Sequence, residues 1–203
     1  MITIVDSGIA NVRSVANMLR RLNIDAQISG APDVVESASK IILPGVGSFD
    51  AGMRALRERG LVDVLHRARA QNTPILGICL GMQLLARRST EGTECGLGWL
   101  DADCVRFSFD GRAGDLKVPH MGWNSLAREQ PSHLLDALPA DARFYFVHSY
   151  HIRCHDQSDV IGTATHGYPF AAAVRRGNVY GVQFHPEKSH RFGMALLTQF
   201  GAL

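Results

Sequence analysis

PILGICLGMQLL, residues 74–85, opens as a continuous apolar run and carries a single cysteine at the joint between Gly77 and Gly81. Pro74 to Cys79 has the length of a fully buried strand, and 80–88 then reads as a helix. A strand feeding straight into a helix is the unit of a parallel sheet, because a parallel neighbour is reached only by crossing one face. Cys79 would then stand at the carboxyl end of a central strand, where open α/β sheets collect their reactive groups.

The flanking sequence repeats the unit. ITIV (2–5) reads as a strand ended by Asp6-Ser7-Gly8. Val12, Val15, Ala16, Leu19 and Leu22 then recur at three- and four-residue steps, one face of an amphipathic helix with Arg13, Arg20 and Arg21 off it. IDAQI (24–28) and KIIL (40–43) read as strands, the second expected to stop at Pro44, which has no N–H for a ladder. Helical patterns follow at 50–58 and 61–71. From 96 to 130 glycines are frequent and apolar runs short, suggesting strands at 103–107 and within 116–127. FYFVHSY (144–150), DVIGTAT (159–165), FAAAVRR (170–176) and NVYGVQF (178–184) read as strands, the last two joined by a hairpin at Arg176-Gly177-Asn178. A helix over 189–200 closes the chain. The expected fold is α/β: an open, mostly parallel sheet flanked by helices, with an antiparallel strand addition, in one domain spanning 1–203.

Composition narrows the function classes. Apolar residues make up 46% and charged residues 20% of the 203, an ordinary globular balance. A net charge of +2 without any Lys/Arg block gives no footprint for nucleic acid or an anionic membrane. No apolar run approaches the ~20 residues that span a bilayer. MITIVDSG lacks the basic and apolar segments of a signal peptide, so a soluble cytoplasmic protein is expected. The four cysteines form no C-x-x-C pair; Cys95, Cys104 and Cys154 are read as small hydrophobes.

Cys79 is different. Glycines two residues before and two after it suit a nucleophile on a tight strand-to-helix turn. A helix starting at Leu80 would bring free N–H groups to the sulfur, favour a thiolate, and let the Leu80 N–H receive an oxyanion. An isolated G-x-C-x-G is equally compatible with a core cysteine, so a base is needed to decide. GVQFHPEKS (181–189) supplies one. Alternation puts Gly181, Gln183 and His185 on one face, away from Tyr180, Val182 and Phe184. Glu187 is close enough to fix the imidazole tautomer, completing a nucleophile–base–acid set. PGVG (44–47) is a poor phosphate loop, with Asp50 where a third glycine is needed, but Gly45, Val46 and Gly47 fit a backbone wall with oxyanion donors. HSYHIRCH (148–155) looks rich in metal ligands, yet in a strand His148 and His151 face opposite sides and no second group has zinc spacing. No metal or cofactor is expected. His66, His133, His155, His166 and His190 are read as solvated.

Together PGVGSFD, GICLGMQLL and GVQFHPEKS, in that order, resemble class I glutamine amidotransferases. PHMGWN (119–124), FYFVHSY, Met82 and Lys188-Ser189 make the chain similar to the glutaminase subunits of imidazole glycerol phosphate synthases. The related glutaminases of anthranilate or GMP synthesis more often carry histidine at the place of Met82. In the first loop, DSGIANVRSV, Ser7, Ile9 and Ala10 replace the tyrosine and extra glycine the family often shows, while Asn11 remains. The resemblance implies that Cys79 attacks the amide of L-glutamine, His185 acts as acid then base, and Glu187 orients it. It further implies that Gly47, Gln83, His148 and Ser149 bind substrate, and that ammonia passes to a (β/α)₈ cyclase subunit in a heterodimer. Asn11, Trp123, Tyr145 and Lys188 are the implied interface residues; Trp123 and Tyr145 would also suit core packing. Alternatives are the glutaminase subunit of another amidotransferase, a partner-independent Cys-His-Glu hydrolase, and a silent binding subunit.

Overall fold

The computed structural model describes residues 1–109 and 116–203. The chain opens with β1 (Ile2–Val5), α1 (Val12–Arg21), β2 (Ala26–Ser29), α2 (Pro32–Glu36) and β3 (Lys40–Gly45). It continues with α3 (Phe49–Glu58), α4 (Leu61–Ala70), β4 (Ile75–Cys79) and α5 (Leu80–Gln83). The second half holds β5 (Arg88–Ser89), β6 (Ala102–Arg106), β7 (His120–Ser125), β8 (Ala127–Arg128), α6 (His133–Asp136) and β9 (Arg143–His148). It ends with β10 (Tyr150–Cys154), β11 (Val160–His166), β12 (Tyr168–Arg176), β13 (Val179–Val182) and α7 (His190–Ala202).

Strands β2, β1, β3, β4 and β13 lie side by side in that order, all parallel. Alternation along them splits the core in two. Ile2, Ile4, Ile42 and Ile78 face α1 and α7, whereas Val5, Ile41, Leu43 and Ile75 face α2, α3 and α4. Beyond β13 the sheet turns antiparallel through β12, β10 and β6, with β11 branching from β12 and β8 pairing on β11. Gly177, at φ +60°, makes the β12–β13 turn. A separate pair, β7 and β9, lies antiparallel. This is the expected mostly parallel sheet with an antiparallel addition. Among the described residues no helix is long and apolar enough to cross a membrane.

Four local expectations need correction. Pro44 does not end β3, which runs on to Gly45. Pairing of β1 with β3 stops at Ile42, so Pro44 has a neighbour strand on one side only and its missing N–H breaks no second ladder. The helix after Cys79 is one turn long rather than extending to 88. The carbonyls of Leu84, Leu85 and Ala86, which a longer helix would use internally, accept instead from the N–H groups of Leu97, Trp99, Leu100 and Gly98. FYFVHSY is not one strand: β9 belongs to the small sheet and β10 to the large one, with Ser149 as the crossing point. Finally, Cys95 is exposed in the loop after β5, whereas Cys104 and Cys154 are buried and burial pushes both thiols up to about 12.

Candidate active site

Cys79 closes β4 with φ +55° and ψ −112°, a conformation uncommon for a side-chain-bearing residue. The surrounding glycines hold it there by close approach. A Cβ on Gly77 would sit 2.7 Å from the Gly81 carbonyl oxygen, and one on Gly81 would overlap the Leu43 carbonyl oxygen. A Cβ on Gly45, the register partner of Cys79, would lie 2.9 Å from the Leu80 Cβ. The turn is thus packed backbone against backbone, and the cysteine has no alternative place to go.

His185 and Glu187 follow β13. The parallel pairing of β13 with β4, ending at Val182 opposite Ile78, brings this segment to the same sheet end as Cys79. His185 Nδ1 donates to Glu187 Oε1 at 2.7 Å, and the two side chains are each 4% exposed. That bond leaves Nε2 for the sulfur. Burial works to lower the basicity of His185, but its hydrogen bonds to Cys79 and Glu187 outweigh it and raise the imidazole to about 9. His185 is therefore protonated at neutral pH. Because the folded value lies above the unfolded 6.5, this pairing stabilises the fold fully below about pH 6.5 and is lost as pH rises through about 9. Unfolding free energies should accordingly drop between pH 7 and 10, roughly, in the wild type and much less in His185→Asn. Parallel curves for the two proteins would remove the imidazolium.

A cavity of about 400 Å³ opens over the sulfur, lined among others by Val46, Gly47, Leu80, Gln83, His148, Ser149, His185 and Lys188. The structure therefore gathers most of the residues singled out from the sequence. Some differ in what they offer. The Val46 N–H donates to the Ile9 carbonyl at 3.2 Å, so it reaches an oxyanion only if that bond opens. Leu80, the first residue of α5, keeps an N–H without an intrahelical acceptor. Gly47, at φ +97° with open space where a Cβ would stand, leaves its backbone accessible to the cavity. The helix dipole expected behind the thiolate is slight, since α5 has four residues. Gly45 lies beneath the turn rather than on the cavity wall.

Gln83 is buried, with its amide nitrogen donating to the Tyr150 carbonyl at 3.0 Å and to Gln183 Oε1 at 3.1 Å. Its own oxygen is the group left for a ligand. His148 has both ring nitrogens engaged, Nδ1 with the Tyr150 carbonyl at 2.8 Å and Nε2 with His120 at 3.0 Å. Any substrate contact from His148 would come from its backbone. His148 and His151 do not point apart as expected, because the chain crosses between sheets at Ser149 and both rings pack on Phe107. His166 is likewise no solvated bystander: it stacks on His120 with centroids 4.4 Å apart. His133, His155 and His190 are exposed, and His66 accepts from the Trp99 indole. Among the described residues no group of three His, Cys, Asp or Glu side chains could hold a metal ion.

Sequence reasoning missed two residues. Gln183, fully buried, brings its Nε2 to 3.8 Å from Cys79 Sγ. The alternation that singled out His185 also marked Gln183, and that was the available signal. Glu91 lines the cavity from an irregular loop, where no periodicity could have found it; its Oε2 accepts the Phe49 N–H at the start of α3. The residues assigned to a partner face fall outside the cavity, apart from Lys188. Trp123 is 45% exposed, which rules out core burial; it meets Tyr145 edge-on, and Lys188 Nζ lies 5.8 Å from the Tyr145 ring centroid. Asn11 stands apart as the N-cap of α1, accepting from the Ser14 N–H.

The family model "Glutamine amidotransferase class-I" matches residues 3–202. The chain is 49% identical over 201 residues to imidazole glycerol phosphate synthase subunit HisH 2 of Pseudomonas aeruginosa, covering 98% of each chain. It is 46% identical over 204 residues to subunit HisH of Leptospira interrogans, covering 100% of each. Among solved structures, PurLQS from Thermotoga maritima superimposes with a TM-score of 0.77 at 21% identity, over 98% of this chain and 96% of that one.

Proposed function

The chain belongs to the class I glutamine amidotransferases, in the branch of imidazole glycerol phosphate synthase glutaminase subunits, and on that premise we propose how its residues divide the work. It is a glutaminase of histidine biosynthesis, taking L-glutamine as substrate and a cyclase as partner. Cys79 Sγ attacks the side-chain amide carbon of glutamine. The tetrahedral oxyanion is received by the Leu80 N–H and by the backbone of Val46 and Gly47, just past the end of β3. The C–N bond then breaks as His185 Nε2 hands its proton to the departing ammonia, leaving a glutamyl thioester. Neutral His185 next takes a proton from water, which opens the thioester and releases glutamate. Glu187 holds Nδ1 throughout and favours the imidazolium. Gln83, Gly47, Ser149, Glu91 and the backbone at His148 seat the substrate's α-amino and carboxyl groups. The observation that carries this assignment is the 2.7 Å His185–Glu187 bond beside a cysteine forced onto a left-handed turn in the same cavity.

The cyclase is a (β/α)₈ subunit, and the assembly is a heterodimer in the cytoplasm. Trp123, Tyr145 and Lys188 form the docking face, with Met121, 63% exposed on the same strand as Trp123, beside them. Asn11 contributes by fixing the start of α1. The chain acts as one amidotransferase domain over residues 1–203. At rest the Val46 N–H is held by Ile9, next to the Asn11 loop, so the isolated subunit turns over slowly. Glutaminase activity should rise about a hundredfold or more when the cyclase with its nucleotide is added, in keeping with the value of an added oxyanion donor. Equal turnover with and without the partner would sink the proposal. A glutamine-mimicking electrophile should label Cys79 and no other residue.

A further inference from the structure

Strand β7 has two faces. Met121 and Trp123 point outward, 63% and 45% exposed, while His120 and Asn124 point inward. We propose that His120 is a positioning residue that ties this strand to the surroundings of Cys79 through a hydrogen-bond chain of fixed direction. The inference rests on Cys79 being the nucleophile and on the Met121–Trp123 face being where the cyclase docks.

The chain has one consistent set of directions. The Asn124 amide is oriented by its neighbours: Nδ2 donates to the Thr165 carbonyl at 2.8 Å and Oδ1 accepts the Ser125 N–H at 2.8 Å. Nδ2 therefore also donates to His120 Nε2, at 3.2 Å. At the other end His148 Nδ1 faces the Tyr150 carbonyl, which only accepts, so Nδ1 carries the hydrogen. His148 Nε2 is then bare and accepts from His120 Nδ1. Both rings must be neutral, each protonated on Nδ1. A second proton on either would set two donors face to face, and burial holds His120 down to about 4 and His148 down to about 3. The Tyr150 carbonyl accepts again from Gln83, whose amide nitrogen also bonds Gln183, whose own amide nitrogen touches the Cys79 sulfur. Thus a displacement of β7 at its outer face alters the two bonds converging on Tyr150, and through them the two glutamines beside the nucleophile. The crossing between sheets at Ser149 lies inside this path, where the backbone belongs to neither ladder.

The rival role for His120 is packing, since its ring stacks on His166 and lies 4.8 Å from Phe146 between centroids. Two variants separate the roles. His120→Phe keeps the ring and removes both nitrogens; His120→Asn gives up the ring but places a donor where Nδ1 was. Each is compared with wild type for cyclase affinity, Tm, and kcat and KM for glutamine in the complex. The expected result is unchanged cyclase affinity in both, with partner-stimulated kcat about tenfold lower in His120→Phe, as for a buried acceptor left unpaired, and largely recovered in His120→Asn. In addition, ¹⁵N NMR should find His120 and His148 as Nδ1–H tautomers in wild type, with His148 keeping Nδ1–H in His120→Phe because the Tyr150 carbonyl still fixes it. Full stimulation of His120→Phe, losses in both variants that merely follow Tm, or Nε2–H tautomers would each overturn the proposal. If wild type itself is not stimulated by the cyclase, the functional reading fails instead, and the tautomers still test the chain.

Discussion

Cys79→Ala should abolish glutamine hydrolysis, by a factor of about a thousand or more, because no thioester can form without the sulfur. The same variant should bind the cyclase normally and leave its turnover with added ammonium salts intact. This split follows from where the residue sits. The Cys79 conformation is imposed by contacts among Gly45, Gly77, Gly81 and Leu43, not by the thiol, so alanine inherits the backbone without repacking. Gln183 loses only a long 3.8 Å contact to sulfur. Glutamine-dependent and ammonia-dependent rates, measured side by side on the purified complex, decide the matter. Retention of glutamine turnover within about tenfold of wild type would place the nucleophile elsewhere.

Gly81→Ala is expected to act on the fold itself. Its Cβ would fall far inside the 3.0 Å that real Cβ atoms respect, against the backbone oxygen of Leu43 in the centre of the parallel sheet. A flexible side chain could rotate away, but the carbonyl of a buried strand residue paired to β4 cannot. Relief requires moving α5 off β3, and α5 carries Leu80, Met82 and Gln83, all buried. A loss of about 4 kcal/mol or more is expected, large enough to leave little folded protein at 37 °C. Urea titration with Gly98→Ala alongside separates this steric effect from the loss of a glycine as such, since Gly98, at φ +65°, has open space at its Cβ position, whereas Gly81 is a helical residue whose only obstacle is the Leu43 oxygen. An unfolding midpoint for Gly81→Ala no lower than that of Gly98→Ala would refute the argument.

Local periodicity carried most of the architecture. Ile2 to Val5, Ile41 to Leu43 and Ile75 to Cys79 are buried along their whole length, and such runs announce central parallel strands. The recurrence of Val12, Val15 and Leu19 announced α1 with equal clarity. Positions decided by distant partners were not legible. Leu84 to Ala86 looks helical in isolation and leaves the helix only because residues 97–100 supply the N–H groups its carbonyls accept. Ser149 gives no local sign that its two neighbours belong to different sheets. The site divides in the same way. Cys79, His185 and Glu187 could be found because glycine spacing, strand alternation and a two-residue offset are properties of short segments. The contact of Gln183 with the sulfur, the bond of His148 Nε2 to His120 and the hold of Ile9 on Val46 are long-range pairings.

The Trp123 ring has a further consequence. The protein has two tryptophans, and they occupy opposite environments: Trp99 is 1% exposed with its indole N–H bonded to His66, whereas Trp123 stands 45% exposed, stacked at 8° on His190. Indole emission therefore comes from one sheltered and one wetted source. A collisional quencher in water reaches the second and spares the first, so the quenchable share of the fluorescence measures how much of the β7 face is uncovered. The molecule carries its own optical gauge of docking, and no label need be attached to read it.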